Sequence, residues 1–407
     1  MTKKLWILSE LYHPETTSTG YILTKIAEGL AARGQFVNVL CSQPTYSARG
    51  TRAPVKEKLN EVEIHRCSGT TLDKDILFFR LINLLTITVS LFVKSLWRFD
   101  RGDSVLVVTN PPSLPFLVAV ACRLRKANCV LLLQDVYPEL LIAVGIMSPK
   151  SLLVRGFTWF NRILYRSVKH IVVVGRDMQA QTVKKLENDR EKVSVITNWA
   201  DIDTVFPTDK KQNALLRELC LQDRFVLEYA GNIGYPNDIK SIVVAAARLL
   251  EAKTNDIHFL FIGSGAKKLW LEEEVIRERL SNIKILPSRP RDDQLNFLNA
   301  CDVALVSLVE GMKGVSVPSR TYNILAAGKP IIAIGDPESE VALVIKEEGV
   351  GWIVPPNNPE QLVKVIREAY SNPQLLAEMG RRARKVAEKK YSYESILNSF
   401  QKLFNSI

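Results

Sequence analysis

The residues of this chain best suited to chemistry sit in loops that follow short apolar runs. In residues 311–334 the glycines Gly311 and Gly314 come first, Ser316-Val317-Pro318-Ser319 next, and Arg320 immediately after. Pro is pre-set for a first helical turn and Gly for the residue past the last one. Residues 318–328 are therefore predicted as a short helix that starts where a glycine loop ends. Its unpaired N–H groups and positive dipole end then face the loop beside the Arg320 guanidinium, an arrangement suited to a phosphate. A loop–helix–strand unit with no ligand carries the same signals, and on this stretch alone both readings stay open.

Other loops share the setting. Gly231-Asn232-Ile233-Gly234 follows the apolar run 225–230, Gly263 closes the run 257–262, and Pro287 follows 283–286. In the first half, His13, Glu15 and Gly20 come after the run 5–9, and Asp135, Tyr137 and Glu139 after 129–134. Such runs, alternating with amphipathic helices, are βα units whose parallel sheets bind ligands beyond the carboxyl ends of the strands. Asp135 therefore faces a cleft, or else caps the turn that follows. No Gly-x-Gly-x-x-Gly follows the first strand, which argues against a simple NAD-dependent enzyme.

The strand pattern runs twice. One set ends near residue 197, Asn198-Trp199-Ala200-Asp201 leads into a polar linker, and the pattern restarts at 225. A length of 407 residues also favours two domains. We expect a first domain at 1–203, a second at 204–388, and a terminal helix at 389–407 that either caps the second domain or crosses back to the first. With 47% apolar and 24% charged residues the chain is globular, neither disordered nor fibrous. The six cysteines show no Cys-x-x-Cys spacing and read as reduced core residues, and four histidines are too few for a His-rich metal site. The opening residues read as a strand and not as an export signal, so a cytoplasmic protein is expected.

The formal charge of +11 is uneven, with 27 Lys+Arg against 18 Asp+Glu in residues 1–205. A basic excess on one half favours a polyanionic surface as partner, or is simply a soluble basic face. Residues 76–97 are the most apolar stretch, but the uncharged core 81–93 is too short to span a bilayer, which takes roughly 17 to 25 residues. Arg80, Asn83, Thr86 or Ser90, and Lys94 form a narrow polar stripe, giving an amphipathic helix that is either buried in the core or lies in a membrane interface. Residues 152–169 mix Arg155, Arg162, Arg166 and Lys169 with Phe157, Trp159, Phe160 and Tyr165, which suits a headgroup layer. No nucleic-acid-binding motif accompanies them, so an anionic membrane is the expected partner and nucleic acid is not.

The string PSRTYNILAAGKPI at 318–331 resembles the donor-binding motif of the family-four retaining glycosyltransferases. Asp135-Val136-Tyr137-Pro138-Glu139 is similar to a string of the bacterial branch that builds O-antigen and exopolysaccharide, including fucosyl- and N-acetylfucosaminyl-transferase-like members. The resemblance implies an α/β chain of GT-B fold, two Rossmann-like domains facing across a cleft. Asn323 and Val315 stand where most members carry two glutamates, and Asn232 where most carry an arginine, leaving Arg320 or Lys313 as substitute cation. The resemblance further implies that Gly20, Gly231, Asn232, Gly263, Pro287, Gly314, Ser316, Val317, Pro318, Ser319 and Asn323 bind the donor, Asn323 through the ribose. Arg320 and Asp135 would be catalytic, and His13, Glu15, Tyr137 and Glu139 would meet the acceptor.

Together these readings give a retaining transferase that moves a sugar from UDP or GDP to a lipid-linked glycan, on the cytoplasmic face of the cell membrane. The family implies front-face attack, with the departing phosphate taking the acceptor proton. Neither a divalent metal nor a cofactor is expected. Two rivals remain. A nucleotide-sugar epimerase of the same fold needs acid/base carboxylates and histidines around the sugar, and a non-catalytic membrane or nucleic-acid binder has no use for the motif at 314–329.

Overall fold

The structure, a computed structural model, describes residues 3–44, 51–72, 76–187 and 189–407. By internal contacts the chain forms two units. One is Met1–Pro138, Lys150–Thr197 and Leu397–Ile407; the other is Glu139–Pro149 with Asn198–Ile396. These bounds correct the division at 203/204 and 388/389. The polar linker packs with the second unit, a short segment after Pro138 does the same, and only the end of the last helix counts with the first. Strand periodicity cannot tell on which body a short connecting helix packs.

The first unit runs β1 (Leu5–Leu8), α1 (Ser18–Ala32), β2 (Val37–Ser42), β3 (Lys56–Leu59), β4 (Val62–Cys67) and α2 (Leu77–Arg98). It continues with β5 (Ser104–Val108), α3 (Leu114–Arg125), β6 (Asn128–Leu133), then, past α4 (Glu139–Ala143), α5 (Leu152–Ser167), β7 (His170–Val173), α6 (Arg176–Lys185) and β8 (Val193–Val195). The strands make one sheet in the order β3-β4-β2-β1-β5-β6-β7-β8. All pairings are parallel except β3 with β4. All four residues of β1 are buried, as expected for a parallel strand covered on both faces. The β3–β4 hairpin was not expected from the sequence. It turns on Asn60 and Glu61, both at positive φ, and the alternation KEKLNEVEI around an Asn turn is the signal that marks it.

The second unit runs α7 (Ala214–Glu218), β9 (Phe225–Ala230), α8 (Ile239–Glu251), β10 (Ile257–Ile262), α9 (Lys268–Arg277), β11 (Ile283–Leu286), α10 (Gln294–Leu298) and β12 (Val303–Ser307). Then come α11 (Arg320–Ala326), β13 (Ile331–Ile334), α12 (Glu340–Glu348), β14 (Gly351–Val354), α13 (Pro359–Ser371), α14 (Pro373–Lys390) and α15 (Tyr393–Ser406). Its parallel sheet has the order β11-β10-β9-β12-β13-β14. One face packs Leu227, Tyr229, Phe259, Phe261 and Leu305 against Ile242 of α8 and Leu362 and Ile366 of α13. All six cysteines are free; five are buried, and Cys220 is exposed.

Strand order reverses between β1 and β5 in the first sheet and between β9 and β12 in the second. At such switch points two neighbouring loops leave in opposite directions and open a crevice beyond the strand ends.

Candidate functional site

In the second unit the crevice lies between the loop after β9, residues 231–234, and the loop after β12, residues 308–319. Val309 N–H donates to Pro236 O at 2.9 Å and ties the two together. Arg320 crosses the crevice from the first turn of α11. Its Nη1 donates to Ala230 O at 3.1 Å, and its guanidinium lies over the Tyr229 ring. The Nε of Arg320 is buried with no hydrogen-bond partner among the described residues, so a charged donor is held in the crevice with capacity to spare.

The glycines of this edge are demanded by contact. A Cβ on Gly231, where φ is +145°, would stand 2.3 Å from Arg320 Nη1. One on Gly263 would stand 1.9 Å from Gly231 O, and one on Gly265 2.4 Å from Asn232 Oδ1. Backbone bonds lace the loops at this edge, Gly231 N–H to Ile262 O at 2.8 Å and Gly263 N–H to Leu286 O at 3.1 Å. Ser288, beside the exposed Pro287, bonds Ser264 at 2.9 Å. Asn232 has an exposed side chain, while its carbonyl accepts from the Tyr229 hydroxyl at 2.7 Å and from Asn237 at 3.0 Å.

Three expectations change here. The motif helix covers seven residues, Arg320–Ala326, and not 318–328. Thr321 N–H and Tyr322 N–H bond back to Pro318 and Ser319, so the chain enters through tight turns and its dipole end is weaker than a longer helix would give. Gly328, at φ +63°, does follow the helix end as predicted. Lys313 is paired with Glu338, which leaves Arg320 as the stronger substitute cation. Asn323 is buried and committed elsewhere: Oδ1 accepts from Asp201 N–H at 2.8 Å, and Nδ2 donates to Asp201 at 3.3 Å and Gln294 at 3.1 Å. With both ends of the amide engaged, its expected contact with a ribose has no support in this geometry.

Asp201 is the residue that sequence reading missed. Besides Asn323 it accepts from Trp199 Nε1 at 2.8 Å and Arg291 at 3.0 Å, so it fixes the segment 198–201 against the motif helix. Gly314, at φ +69°, and Val317 belong to a loop whose apolar side chains Met312 and Val315 pack with Leu308, and Leu140 and Ala143 of α4 pack on that cluster. Ser316, Pro318 and Ser319 are half-buried, and Glu310 is exposed. Glu139 opens α4 within this unit, separated by membership from Asp135 and Tyr137.

In the first unit, the loop 9–20 sits beside the switch point, with Glu10 N–H donating to Asn110 O at 3.3 Å. Thr17 caps α1 by accepting from Gly20 N–H at 3.3 Å, and a Cβ on Gly20 would stand 2.8 Å from Glu15 O. Glu15 is buried and His13 exposed. Thr19 donates to Gln134 at 3.0 Å, bringing this loop next to Asp135. Asp135 borders a cavity of only about 20 Å³ with Tyr137, Phe157 and Tyr165. Burial, and then the Asp135 charge, push the Tyr137 hydroxyl up to about 12.

The middle of the polar stripe of α2, Asn83 and Thr86, turns inward, while Arg80 is exposed. Asn83 accepts from Thr70 and from Leu72 N–H and donates to Leu72 O, while Thr86 accepts from Thr70 N–H. Besides Arg80 and Arg98, α2 leaves Phe78, Leu81, Leu85, Val89, Val93 and Trp97 outside, the last 82% exposed. That rules out a fully buried core helix. By length and composition Phe78–Arg98 is long enough to cross a membrane, but it packs on α3, with Thr88 bonded to Ser113 at 3.0 Å. On α5, Leu152, Leu153, Trp159, Phe160 and Ile163 are exposed beside Arg155 and Arg162, whereas Arg166 pairs with Glu187.

Comparison with known proteins places this geometry. A family model described as glycosyl transferases group 1 matches residues 217–386, and one described as glycosyl transferase 4-like domain matches 19–199. The chain is 33% identical over 308 residues, 76% of each chain, to "Probable glycosyltransferase WbjE" of Pseudomonas aeruginosa. It is 26% identical, over 98% of each chain, to "Putative colanic acid biosynthesis glycosyl transferase WcaI" of Escherichia coli K12. Its fold is similar to that of Anabaena Alr3699/HepE, solved with UDP and glucose, at a TM-score of 0.74, 15% identity and full coverage of both chains.

Proposed function

This chain belongs to the group 1 glycosyl transferases, retaining enzymes of GT-B fold, and from that premise we propose that it moves a sugar from a UDP-linked donor to a lipid-linked glycan during assembly of a cell-surface polysaccharide of O-antigen type. The observation that carries the reading is Arg320, held over Gly231 in the switch-point crevice with a buried Nε unpartnered among the described residues. A diphosphate leaving group needs fixed positive field where charge develops, and Arg320 is the side chain of this crevice that supplies it.

In this mechanism the anomeric carbon–phosphate oxygen bond breaks first, leaving a cation-like sugar. The acceptor hydroxyl attacks the same face and gives its proton to the departing phosphate oxygen. Asp135 orients that hydroxyl, and His13, Glu15 and Tyr137 shape the acceptor side. Incubation with UDP- and GDP-sugars and a lipid-linked acceptor, reading product, free nucleotide and epimerised donor, tests it. Epimerised donor without transfer would replace it with the epimerase reading. Asp135→Asn should lower transfer and leave donor binding nearly intact; equal loss of both would make Asp135 structural.

The same proposal places the protein on the cytoplasmic face of the membrane. Supporting this are the exposed apolar faces of α2 and α5, the Val120 and Leu124 side chains exposed on α3 between them, and Arg155 and Arg162, exposed and without an ion-pair partner among the described residues. Apolar insertion and attraction to anionic lipid act together on such helices.

A further inference from the structure

Outside the switch point, the second unit carries a groove of about 840 Å³ between α8 and α9. Val243 and Ala247 of α8 lie along it, Trp270 of α9 is half-buried in it, and Tyr235 stands at one end, 54% exposed. Its charges are nearly balanced. Arg277 is neutralised by Glu274 and Glu278, Arg248 pairs with Glu360, and Lys240 and Glu251 are left without partners among the described residues. The Trp270 indole N–H likewise has no partner among the described residues.

We propose that this groove binds a neutral oligosaccharide, a stretch of glycan distinct from the transferred sugar. The aromatic side chains of Trp270, packed on the core from the groove wall, and of Tyr235 suit the C–H faces of pyranose rings, and donors and acceptors of both signs suit their hydroxyls. A nucleotide or other anion would call for a marked surplus of cations, whereas the groove sets Lys240, Arg248, Lys267 and Arg277 against Glu251, Glu274 and Glu278, with Arg248 and Arg277 already paired. The position fits the chemistry. Lys267 donates to Asn237 O at 2.9 Å, and Asn237 in turn donates to Asn232 O, so the Tyr235 end adjoins the loop on which Arg320 rests. Glycan held there would stay near the enzyme between encounters, raising its local concentration without changing the donor crevice. The inference depends on the polysaccharide reading only for the supply of glycan.

The test uses the full chain saturated with UDP, titrated with maltoheptaose, cellohexaose and mannohexaose and read by tryptophan fluorescence and calorimetry. At least one should bind, and Tyr235→Ala and Trp270→Phe should each weaken it about tenfold, near 1.4 kcal/mol, with UDP affinity unchanged. Tyr235 is exposed, so that variant keeps the test valid if Trp270→Phe disturbs packing. No binding by any of the three, or binding that neither variant weakens, overturns the proposal. A chain that binds oligosaccharide but neither UDP nor GDP would instead retire the donor assignment and leave the groove standing.

Discussion

The Cζ atom of Arg320 lies 4.3 Å from the centre of the Tyr229 ring. This contact joins the first turn of α11 to the end of the central strand β9, 91 residues earlier in the chain, and a cation over a partly desolvated ring contributes about 0.5–2 kcal/mol. Tyr229 is fully buried and its hydroxyl is anchored to Asn232 O, so the guanidinium rests on a fixed platform.

Arg320→Ala should weaken UDP binding by about 1.5–3 kcal/mol, the range for a hydrogen bond to a charged group. Arg320→Lys should recover only part of it, because a point-charge ammonium can neither stack flat on Tyr229 nor bond Ala230 O and a phosphate in one plane. Calorimetry of both variants checks this; unchanged UDP and GDP affinity in the alanine variant removes the assignment.

Gly231→Ala puts a methyl where Arg320 Nη1 now sits. Since φ at 231 is also one that L side chains rarely adopt, the variant should lose donor binding and some stability together. Thermal unfolding with and without UDP would show a lower midpoint and a smaller ligand-induced rise.

Asp201→Ala should behave differently. It leaves Trp199 Nε1, Arg291 and Asn323 short of an acceptor, at a cost of about 1–3 kcal/mol for each buried group left unsatisfied. Denaturant unfolding should register the loss, while UDP affinity measured under folding conditions stays within about twofold, a change smaller than RT ln 10 by a factor of three. A selective loss of UDP affinity at unchanged stability would mean that Asp201 or Asn323 meets the nucleotide.

Glu228 sits fully buried in β9 with Oε2 unpartnered, and burial holds its carboxyl well above the usual range against a smaller opposing pull from Lys329. The unfolded chain ionises this group above pH about 4.5 while the folded chain keeps the proton, so the folded state loses relative stability as pH rises from there towards the folded pKa. Unfolding free energies of wild type and Glu228→Gln should therefore diverge in favour of the variant between pH 5 and pH 8. Parallel pH profiles would mean that Glu228 is ionised in the fold.

The protein should sediment with anionic vesicles at low salt, each free basic residue adding about 1 kcal/mol and the inserted apolar side chains a part that salt does not screen. Arg155→Gln with Arg162→Gln should reduce the salt-sensitive part, and Trp97→Ala with Leu85→Ser the residual. Arg166→Gln should matter less, because Arg166 already pairs with Glu187. Failure of the wild type to bind even at low salt assigns the basic surface to another partner.

The sequence by itself determined what local constraint can write. Apolar runs too short for helices became the parallel strands of two sheets, and Gly231, Gly263 and Gly328 fell where positive φ or close backbone approach admits no side chain. The loops that follow those strands were therefore legible as a candidate site. Only the tertiary structure decided which partner each polar group took. Arg320 found Ala230 O and Tyr229, Asn323 found Asp201, and Asn83 and Thr86 of the α2 stripe faced inward to Thr70 and Leu72. An amide or guanidinium has many chemically equivalent partners along the chain, and nothing in its neighbours in sequence selects among them. Packing of elements 80 or more residues apart makes that selection for Arg320 and Asn323, whereas a glycine at positive φ carries its own reason.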